Sequence, residues 1–262
     1  MLSGILIAAA IIGGVGLFIG AFLGFAGKAF AVPVDEKEAA VRNLLPGANC
    51  GGCGFSGCDA LASAIAKGEA PANACVVGGS SVASEVAAVM GTKAEKGVRK
   101  VAFVRCTGDC EKTSDLYEYT GTKGCMEASF APSGGSKSCR YGCMGFGDCA
   151  AVCEFGALSI QKGIAVVDET KCKDCKKCIE ACPKHLIIEV PAERVSRIGC
   201  ANPGKGRAVI DTCKIGCISC QKCMKNCPAG AIDMMPGYPV IDYDKCTDCG
   251  LCSANCPRKC IV

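Results

Sequence analysis

The chain has 262 residues, of which 26 are cysteine. This fraction is typical of two classes of protein: small disulfide-rich secreted scaffolds, and proteins that bind metal ions or iron–sulfur clusters. The length argues against the first class, because such scaffolds usually have fewer than about 80–100 residues. The formal charge of +4 counts every cysteine as neutral, and cluster-bound thiolates would make the loaded protein acidic. The sequence has no Lys/Arg run with interleaved aromatic residues, so we expect no nucleic-acid partner.

An uncharged apolar stretch opens the chain. Residues 4–27 contain no charged side chain, and a helix of that length exceeds the roughly 30 Å hydrocarbon core of a bilayer. No basic residue precedes the stretch, which argues against a cleaved signal peptide. Lys28, Lys37 and Arg42 follow it and favour a cytoplasmic location for that flank. We predict an uncleaved single-pass anchor over 1–28 in the inner membrane, with its N-terminus outside and the iron–sulfur domains in the cytoplasm.

The first cysteine motif follows this stretch. NCGGCGFSGC and a distant fourth cysteine have the spacing C-x2-C-x4-C-x16-C, and the glycines let the loop direct backbone N–H groups at a compact cofactor. Four thiolates can complete one [4Fe–4S] cluster, whereas zinc suits ligands flanked by glycine less well. We predict a single-cluster domain over 29–100, with a short helix over 59–67. The predicted ligands are Cys50, Cys53, Cys58 and Cys75.

Three runs in the C-terminal half have the spacing C-x2-C-x2-C-x3-C-P. This is the run of bacterial ferredoxins, in which the first three cysteines bind one cluster and the fourth binds its neighbour. The three runs are Cys172, Cys175, Cys178 and Cys182; Cys217, Cys220, Cys223 and Cys227; and Cys246, Cys249, Cys252 and Cys256. Three tandem copies indicate iron–sulfur clusters far more specifically than one copy would.

A fourth, degenerate run precedes these three, with Cys139, Cys143, Cys149 and Cys153. A shift of 74 residues superposes it and the run that follows it on the end of the chain. This duplication predicts two ferredoxin modules, over 139–190 and 191–262, each with two clusters. Apolar stretches about a turn predict a β-hairpin in each module, near 158–167 and 232–241.

The duplication also suggests the ligand sets. Phe146 stands where the second copy has Cys220, so we expect Cys139 to complete the cluster in its place. The predicted sets are Cys139, Cys143, Cys149 and Cys182; Cys153, Cys172, Cys175 and Cys178; Cys217, Cys220, Cys223 and Cys256; and Cys227, Cys246, Cys249 and Cys252.

Six cysteines remain outside these sets. Cys106, Cys110 and Cys125, in the connecting segment 101–138, could supply three ligands to a further cluster whose fourth ligand the sequence does not identify. For Cys200, Cys213 and Cys260, a structural packing role is an equally good explanation. The sequence therefore predicts at least five [4Fe–4S] clusters and favours six.

The predicted fold is a series of small α+β iron–sulfur modules: an N-terminal transmembrane helix, one four-cysteine domain and two tandem two-cluster ferredoxin-like modules. With NCGGCGFSGC after a lone apolar helix and VRCTGDCEKT before the two modules, the chain resembles the B subunit of the Rnf complex, a membrane-bound, ion-translocating ferredoxin:NAD oxidoreductase. The resemblance covers essentially the whole chain. It implies a subunit of a translocase that accepts electrons from reduced ferredoxin and relays them towards flavin-bearing partner subunits.

The residues alone indicate no substrate-converting site. No G-x-G-x-x-G follows a predicted strand and no P-loop occurs, so we expect neither flavin nor NAD on this chain and no catalytic residue. The one histidine, His185, is expected on an exposed turn. Two other hypotheses remain open. The chain could be a reductase with its own substrate site at an incompletely ligated cluster, or a structural or storage protein that binds zinc.

Soluble ferredoxins are acidic, so basic residues near the clusters are candidates for docking. They are Lys171, Lys173, Lys176, Lys177 and Lys184, with Lys205 and Arg207 nearby. The alternative is an ordinary solvated charged face.

Overall fold

The computed structural model describes residues 2–29, 35–93, 97–235 and 237–262, and in the first helix it describes side chains only from residue 11 to residue 27. Helix α1 (Leu2–Ala29) covers the uncharged stretch. Among the residues that the structure describes in full, no helix is both long and apolar enough to cross a membrane.

Three helices form a small N-terminal unit: α2 (Glu36–Leu44), α3 (Cys58–Ala66) and α4 (Gly79–Met90). Val41, Leu61 and Val86 are fully buried where the helices meet. Helix α3 confirms the short helix expected over 59–67. The Asn49 side chain accepts a hydrogen bond from the Cys58 backbone N–H at 2.8 Å, so the start of α3 is fixed where its first residue is a cysteine.

The first ferredoxin copy contains two antiparallel strand pairs and short helices. Its elements are β1 (Lys100–Val104), α5 (Cys125–Ser129), α6 (Asp148–Ala151), β2 (Leu158–Gln161), β3 (Ile164–Val167), α7 (Lys177–Glu180) and β4 (Ile187–Pro191). A 3-10 turn, Pro132–Gly134, follows α5. Strands β2 and β3 form the predicted hairpin. Strand β1 pairs with β4, with Val104 opposite Ile187. The second sheet of this copy therefore includes β1, which lies before residue 139, the predicted start of the module.

The second copy repeats this plan. Its elements are α8 (Arg207–Ile210), α9 (Lys222–Lys225), β5 (Ile232–Met235), β6 (Tyr238–Ile241) and α10 (Leu251–Ala254). Strands β5 and β6 form the second predicted hairpin. Ile198 pairs with Ile261 at the end of the chain, and Ile261 lies 74 residues after Ile187. This bridge is therefore the counterpart of the β1–β4 pairing.

The two copies are joined by backbone pairing and by one buried arginine. Beyond β1, the Thr107 N–H donates to the Gly199 carbonyl at 3.1 Å, and Cys106 and Cys200 form an isolated antiparallel bridge. The buried guanidinium of Arg197 pairs with Glu169 and donates to the Ala192 carbonyl at 3.3 Å. These contacts set the two copies side by side.

Candidate metal centres

The three complete cysteine runs share one backbone conformation. In each run the residues just before and just after the second cysteine have positive φ, which curls the chain before a short helix begins: Asp174 and Lys176, Ser219 and Gln221, Asp248 and Gly250. In the degenerate run, Gly145 and Gly147 have φ of 79° and 95° on either side of Phe146. The loop is therefore preserved there, with Phe146 in the place of the second cysteine.

The cysteines are all free thiols. The structure brings 20 of them together as five sets of four around five cavities, and the 74-residue repeat indicates a sixth set of four. We number the sets as centres 1 to 6. They are centre 1 (Cys50, Cys53, Cys58, Cys75), centre 2 (Cys153, Cys172, Cys175, Cys178), centre 3 (Cys125, Cys143, Cys149, Cys182), centre 4 (Cys106, Cys139, Cys200, Cys213), centre 5 (Cys217, Cys220, Cys223, Cys256) and centre 6 (Cys227, Cys246, Cys249, Cys252). Centres 1 to 5 each line a cavity. Centre 6 is the counterpart of centre 2, with Cys227 and Cys246 packed against the core that contains Cys252.

Each of the five cavities is lined by at least four cysteines, the ligand number that a [4Fe–4S] cluster or a structural zinc ion would take. Across the described residues, no group of three or more Cys, His, Asp or Glu side chains is arranged to hold a single metal ion. Backbone N–H groups also donate to the thiol sulfurs, as from Ala157 to Cys153 at 3.3 Å and from Leu186 to Cys182 at 3.4 Å. Such bonds stabilise iron-bound thiolates, so the four-thiol sets fit [4Fe–4S] clusters.

Burial makes these thiols poor acids without a metal. Desolvation, followed by neighbouring thiolates, raises the pKa of Cys149 and of Cys178 to about 12. Desolvation raises the pKa of Cys200 and of Cys223 to about 11. A thiolate at these positions therefore needs a bound cation to offset its charge, and cluster assembly must release protons.

Centre 3 differs from the sequence-based expectation in one ligand. The expectation placed Cys139 beside Cys143 and Cys149, but the structure places Cys125 there and Cys139 in another cavity. The Asp148 carboxylate accepts hydrogen bonds from the backbone N–H groups of Cys125 at 2.8 Å and Met126 at 3.0 Å. These hydrogen bonds hold the start of α5 against the degenerate run. Cys125 thereby supplies the fourth thiol of centre 3, where Phe146 stands in the place of a cysteine.

Centre 4 is built from equivalent cysteines of the two copies. Because Val104 faces Ile187 and Ile198 faces Ile261, Cys106 and Cys200 are counterparts, as are Cys139 and Cys213 by the 74-residue shift. Burial raises the pKa of Cys139, and Cys106 and Cys213 raise it further. Arg105, which lines the cavity, has its Nε buried without a partner. An anionic cluster would supply that missing charge partner.

The structure places the three cysteines of the connecting segment apart from one another. Cys106, Cys110 and Cys125 were possible ligands of one further cluster, but Cys106 lies at centre 4 and Cys125 at centre 3, and Cys110 is exposed. Cys260 is buried and is a fifth cysteine that lines the cavity of centre 5, with its sulfur 3.6 Å from that of Cys256. His185 lies on an exposed turn, as predicted.

The centres lie next to one another in numerical order. Gly52 approaches Cys175 between centres 1 and 2, and Cys178 of centre 2 lies in the same buried core as Cys149 of centre 3. Between centres 3 and 4, the Cys143 N–H donates to the Cys106 sulfur at 3.3 Å. Between centres 4 and 5, the Cys217 N–H donates to the Cys200 sulfur at 3.3 Å. Centres 5 and 6 share one buried core. The two N–H bonds are counterparts in the duplication. Centre 4 therefore connects the two ferredoxin copies.

A series of adjacent four-thiol sets on ferredoxin-type loops defines an iron–sulfur protein of the electron-carrier class. Comparison with known families agrees. Residues 45–77 match the family described as "Putative Fe-S cluster", residues 164–187 the "4Fe-4S binding domain", and residues 216–260 the "4Fe-4S dicluster domain".

Relatives match over most of the chain. It is 48% identical, over 100% of its own length and 78% of the relative's, to the B subunit of the Na(+)-translocating ferredoxin:NAD(+) oxidoreductase complex of Acetobacterium woodii. It is 41% identical to the B subunit of the ion-translocating oxidoreductase complex of Methanosarcina acetivorans, over 96% of each chain. It is 38% identical to the B subunit of the proton-translocating ferredoxin:NAD(+) oxidoreductase complex of Clostridium ljungdahlii, over 94% of this chain and 88% of the relative. The chain belongs to the family of Rnf complex B subunits, which confirms the resemblance seen in the sequence.

Proposed function

We propose that this chain is the electron-transfer subunit of an ion-translocating ferredoxin:NAD oxidoreductase complex, and that it relays electrons from reduced ferredoxin through six [4Fe–4S] clusters towards flavin-bearing partner subunits. The observation that supports this most strongly is the succession of six sets of cysteines, each adjacent to the next. When bound, each cluster supplies a site that accepts and releases one electron.

The chain's own groups would hold and space these clusters. Four thiolates bind each cluster, and backbone N–H groups that donate to sulfur stabilise the added negative charge. Between centres 3 and 4, and again between centres 4 and 5, a ligand's N–H donates to a ligand sulfur of the neighbouring centre. These direct contacts keep neighbouring centres close without an intervening solvent layer.

Iron and sulfide analysis tests the six-centre scheme. Anaerobically purified full-length protein should contain about 24 iron and 24 sulfide per chain, since each cluster holds four of each. EPR of the reduced protein should show interacting cluster signals. About four irons or fewer would refute the relay, and zinc without visible absorption would support the structural alternative.

The reductase alternative requires an iron with an open coordination position. Among the described residues, each of the six sets offers four thiols, including centre 3, where the sequence suggested a deficit. This observation favours the relay. A small inhibitor such as cyanide that shifts one cluster's EPR signal would favour the reductase instead.

We also propose that α1 anchors the chain in the cytoplasmic membrane with its N-terminus outside. The support is the uncharged stretch over 4–27 followed by Lys28, Lys37 and Arg42. The full-length chain should resist carbonate extraction from membranes, and removal of residues 1–28 should release it. A full-length chain that carbonate or high salt extracts would contradict the anchor.

Three of the candidate docking lysines already form ion pairs with carboxylates of this chain. Lys176 pairs with Glu189 at 3.2 Å, Lys177 with Glu154 at 2.5 Å and Lys171 with Asp168 at 3.5 Å, so much of their charge is already compensated. Lys173 is exposed beside Cys172 of centre 2 and is absent from the ion pairs found in the described chain. We propose Lys173 as the main docking contact.

Charge reversal tests this proposal. Lys173→Glu should slow reduction by ferredoxin at low ionic strength, because steering falls with opposing charge. Reduction by dithionite should not change. Lys123→Glu, at an exposed site outside the candidate docking residues, is the matched control. If the rate at which ferredoxin reduces the wild-type protein did not depend on ionic strength, the proposal of electrostatic docking would be refuted.

A further inference from the structure

Lys137 is a buried cation between centres 3 and 4. Only 7% of the residue is exposed, and it lines the cavity of centre 4. Its Nζ donates to the carbonyl oxygens of Gly108 at 3.1 Å, Cys143 at 2.8 Å and Gly163 at 3.1 Å. Cys143 is a thiol of centre 3, and the Gly108 position lies against the Cys213 sulfur of centre 4. One side chain therefore holds loops of both centres.

The hydrogen bonds specify the charged form of this amine. A carbonyl oxygen can only accept, so three carbonyl partners require three N–H donors. An ammonium group has three donors, whereas a neutral amine has two and a lone pair. The Lys137 side chain is thus positioned as an ammonium group.

The ammonium has no carboxylate partner among the ion pairs found in the described residues. Buried Asp109 lies next to Gly108, but its carboxylate pairs with Lys112 at 2.7 Å. Exposed Asp115, whose backbone bridges to that of Lys137, accepts a hydrogen bond from the Ser136 hydroxyl at 3.2 Å. Buried charges are normally compensated, and the anions left to compensate Lys137 are the thiolates of the two centres.

The duplication shows that this charge is specific to the first copy. The counterpart of Lys137, 74 residues later, is Asp211, which is exposed and pairs with Arg207 at 2.9 Å. Centre 5, the counterpart of centre 3, therefore has no equivalent of the Lys137 ammonium at this position. Two centres with matching loops are placed in different electrostatic surroundings.

We propose that the Lys137 ammonium is a shared counter-charge that raises the reduction potentials of centres 3 and 4, so that an electron is more stable there than at the corresponding second-copy centre 5. This inference rests on the proposed function, because it requires clusters at both centres. Adding one electron makes a cluster more negative by one charge, and a nearby fixed cation in a low-dielectric interior stabilises that added charge. Lys137 is a positioning residue in this scheme and exchanges no electron itself.

The test is a redox titration of the full-length, cluster-loaded protein followed by EPR. Signals of centres 3 and 4 are first assigned as those lost in Cys125→Ser and in Cys139→Ser. Lys137→Gln removes the charge but keeps two donors for the carbonyls, and Lys137→Arg keeps the charge. Lys162→Gln is the matched control, since Lys162 is exposed and pairs with Glu111 on the surface.

At the wild-type midpoint potential, Lys137→Gln should lower the ratio of reduced to oxidised cluster at centres 3 and 4 by about tenfold or more, which is 59 mV for a one-electron couple. Lys137→Arg and Lys162→Gln should change that ratio less than about twofold. If Lys137→Gln loses the clusters, retention of wild-type potentials in Lys137→Arg still supports the charge role. Loss of both clusters in both variants would instead establish a packing role and overturn the inference.

The outcomes separate the inference from the proposed function. Unchanged potentials in a fully loaded Lys137→Gln protein would overturn the counter-charge alone. A wild-type protein without clusters at centres 3 and 4 would overturn the six-centre relay, and the counter-charge with it.

Discussion

The contact between centres 1 and 2 depends on the absence of a side chain at Gly52. A Cβ added there would lie 3.0 Å from the Cys175 Cα and 3.3 Å from the Cys175 carbonyl oxygen, whereas ordinary contact begins at 3.4 Å. Its backbone φ lies outside the left-handed region, so Gly52→Ala adds steric volume without conformational strain. These two atoms are backbone and cannot rotate away, and the Val76 Cγ2 also lies 3.2 Å from the added Cβ. The N-terminal unit must therefore move by about 0.4 Å or the interface must be strained, at a cost of about 1–3 kcal/mol.

Two measurements report this change in the cluster-loaded protein. We expect a lower thermal midpoint for Gly52→Ala, and weaker magnetic interaction between the EPR signals of centres 1 and 2, because that interaction falls steeply with distance. Gly97→Ala is the matched control, since a Cβ at Gly97 meets nothing within 4 Å. If Gly52→Ala matched the wild type in both measurements, centre 1 would not pack against Cys175, and the relay would lose its first contact.

Three further predictions follow from the site and the fold. Cys125→Ser should lose about four irons per chain, whereas Cys110→Ser, at an exposed position, should retain them all; iron analysis that shows the reverse would reject the ligand set of centre 3. Arg197→Met should lower the free energy of unfolding by about 1–3 kcal/mol in a urea titration, because it breaks the pair of the buried guanidinium with Glu169 and its hydrogen bond to the Ala192 carbonyl. Arg207→Met, whose side chain is 87% exposed, should change it by less than about 0.5 kcal/mol. Removing iron with a chelator and an oxidant should make residues 100–262 sensitive to trypsin, since cluster thiols form much of the buried core; a resistant apoprotein would show that the fold does not need its clusters.

Local sequence determined the parts of the site that lie within one loop. The spacing C-x2-C-x2-C-x3-C-P predicted the three complete runs, and apolar stretches about a turn predicted both hairpins. These features depend on neighbours a few residues apart, so their pattern is visible without the fold. The 74-residue repeat likewise indicated two copies of one module.

Only the tertiary structure decided which distant thiols share a centre. Cys139 could serve centre 3 by sequence spacing, but the β1–β4 pairing and its counterpart at Ile198 and Ile261 bring it to Cys106, Cys200 and Cys213. The 74-residue match of Cys139 with Cys213 was the available signal. A repeat shows which residues are equivalent, but it does not show that equivalent residues meet, because that depends on how the two copies pack against each other.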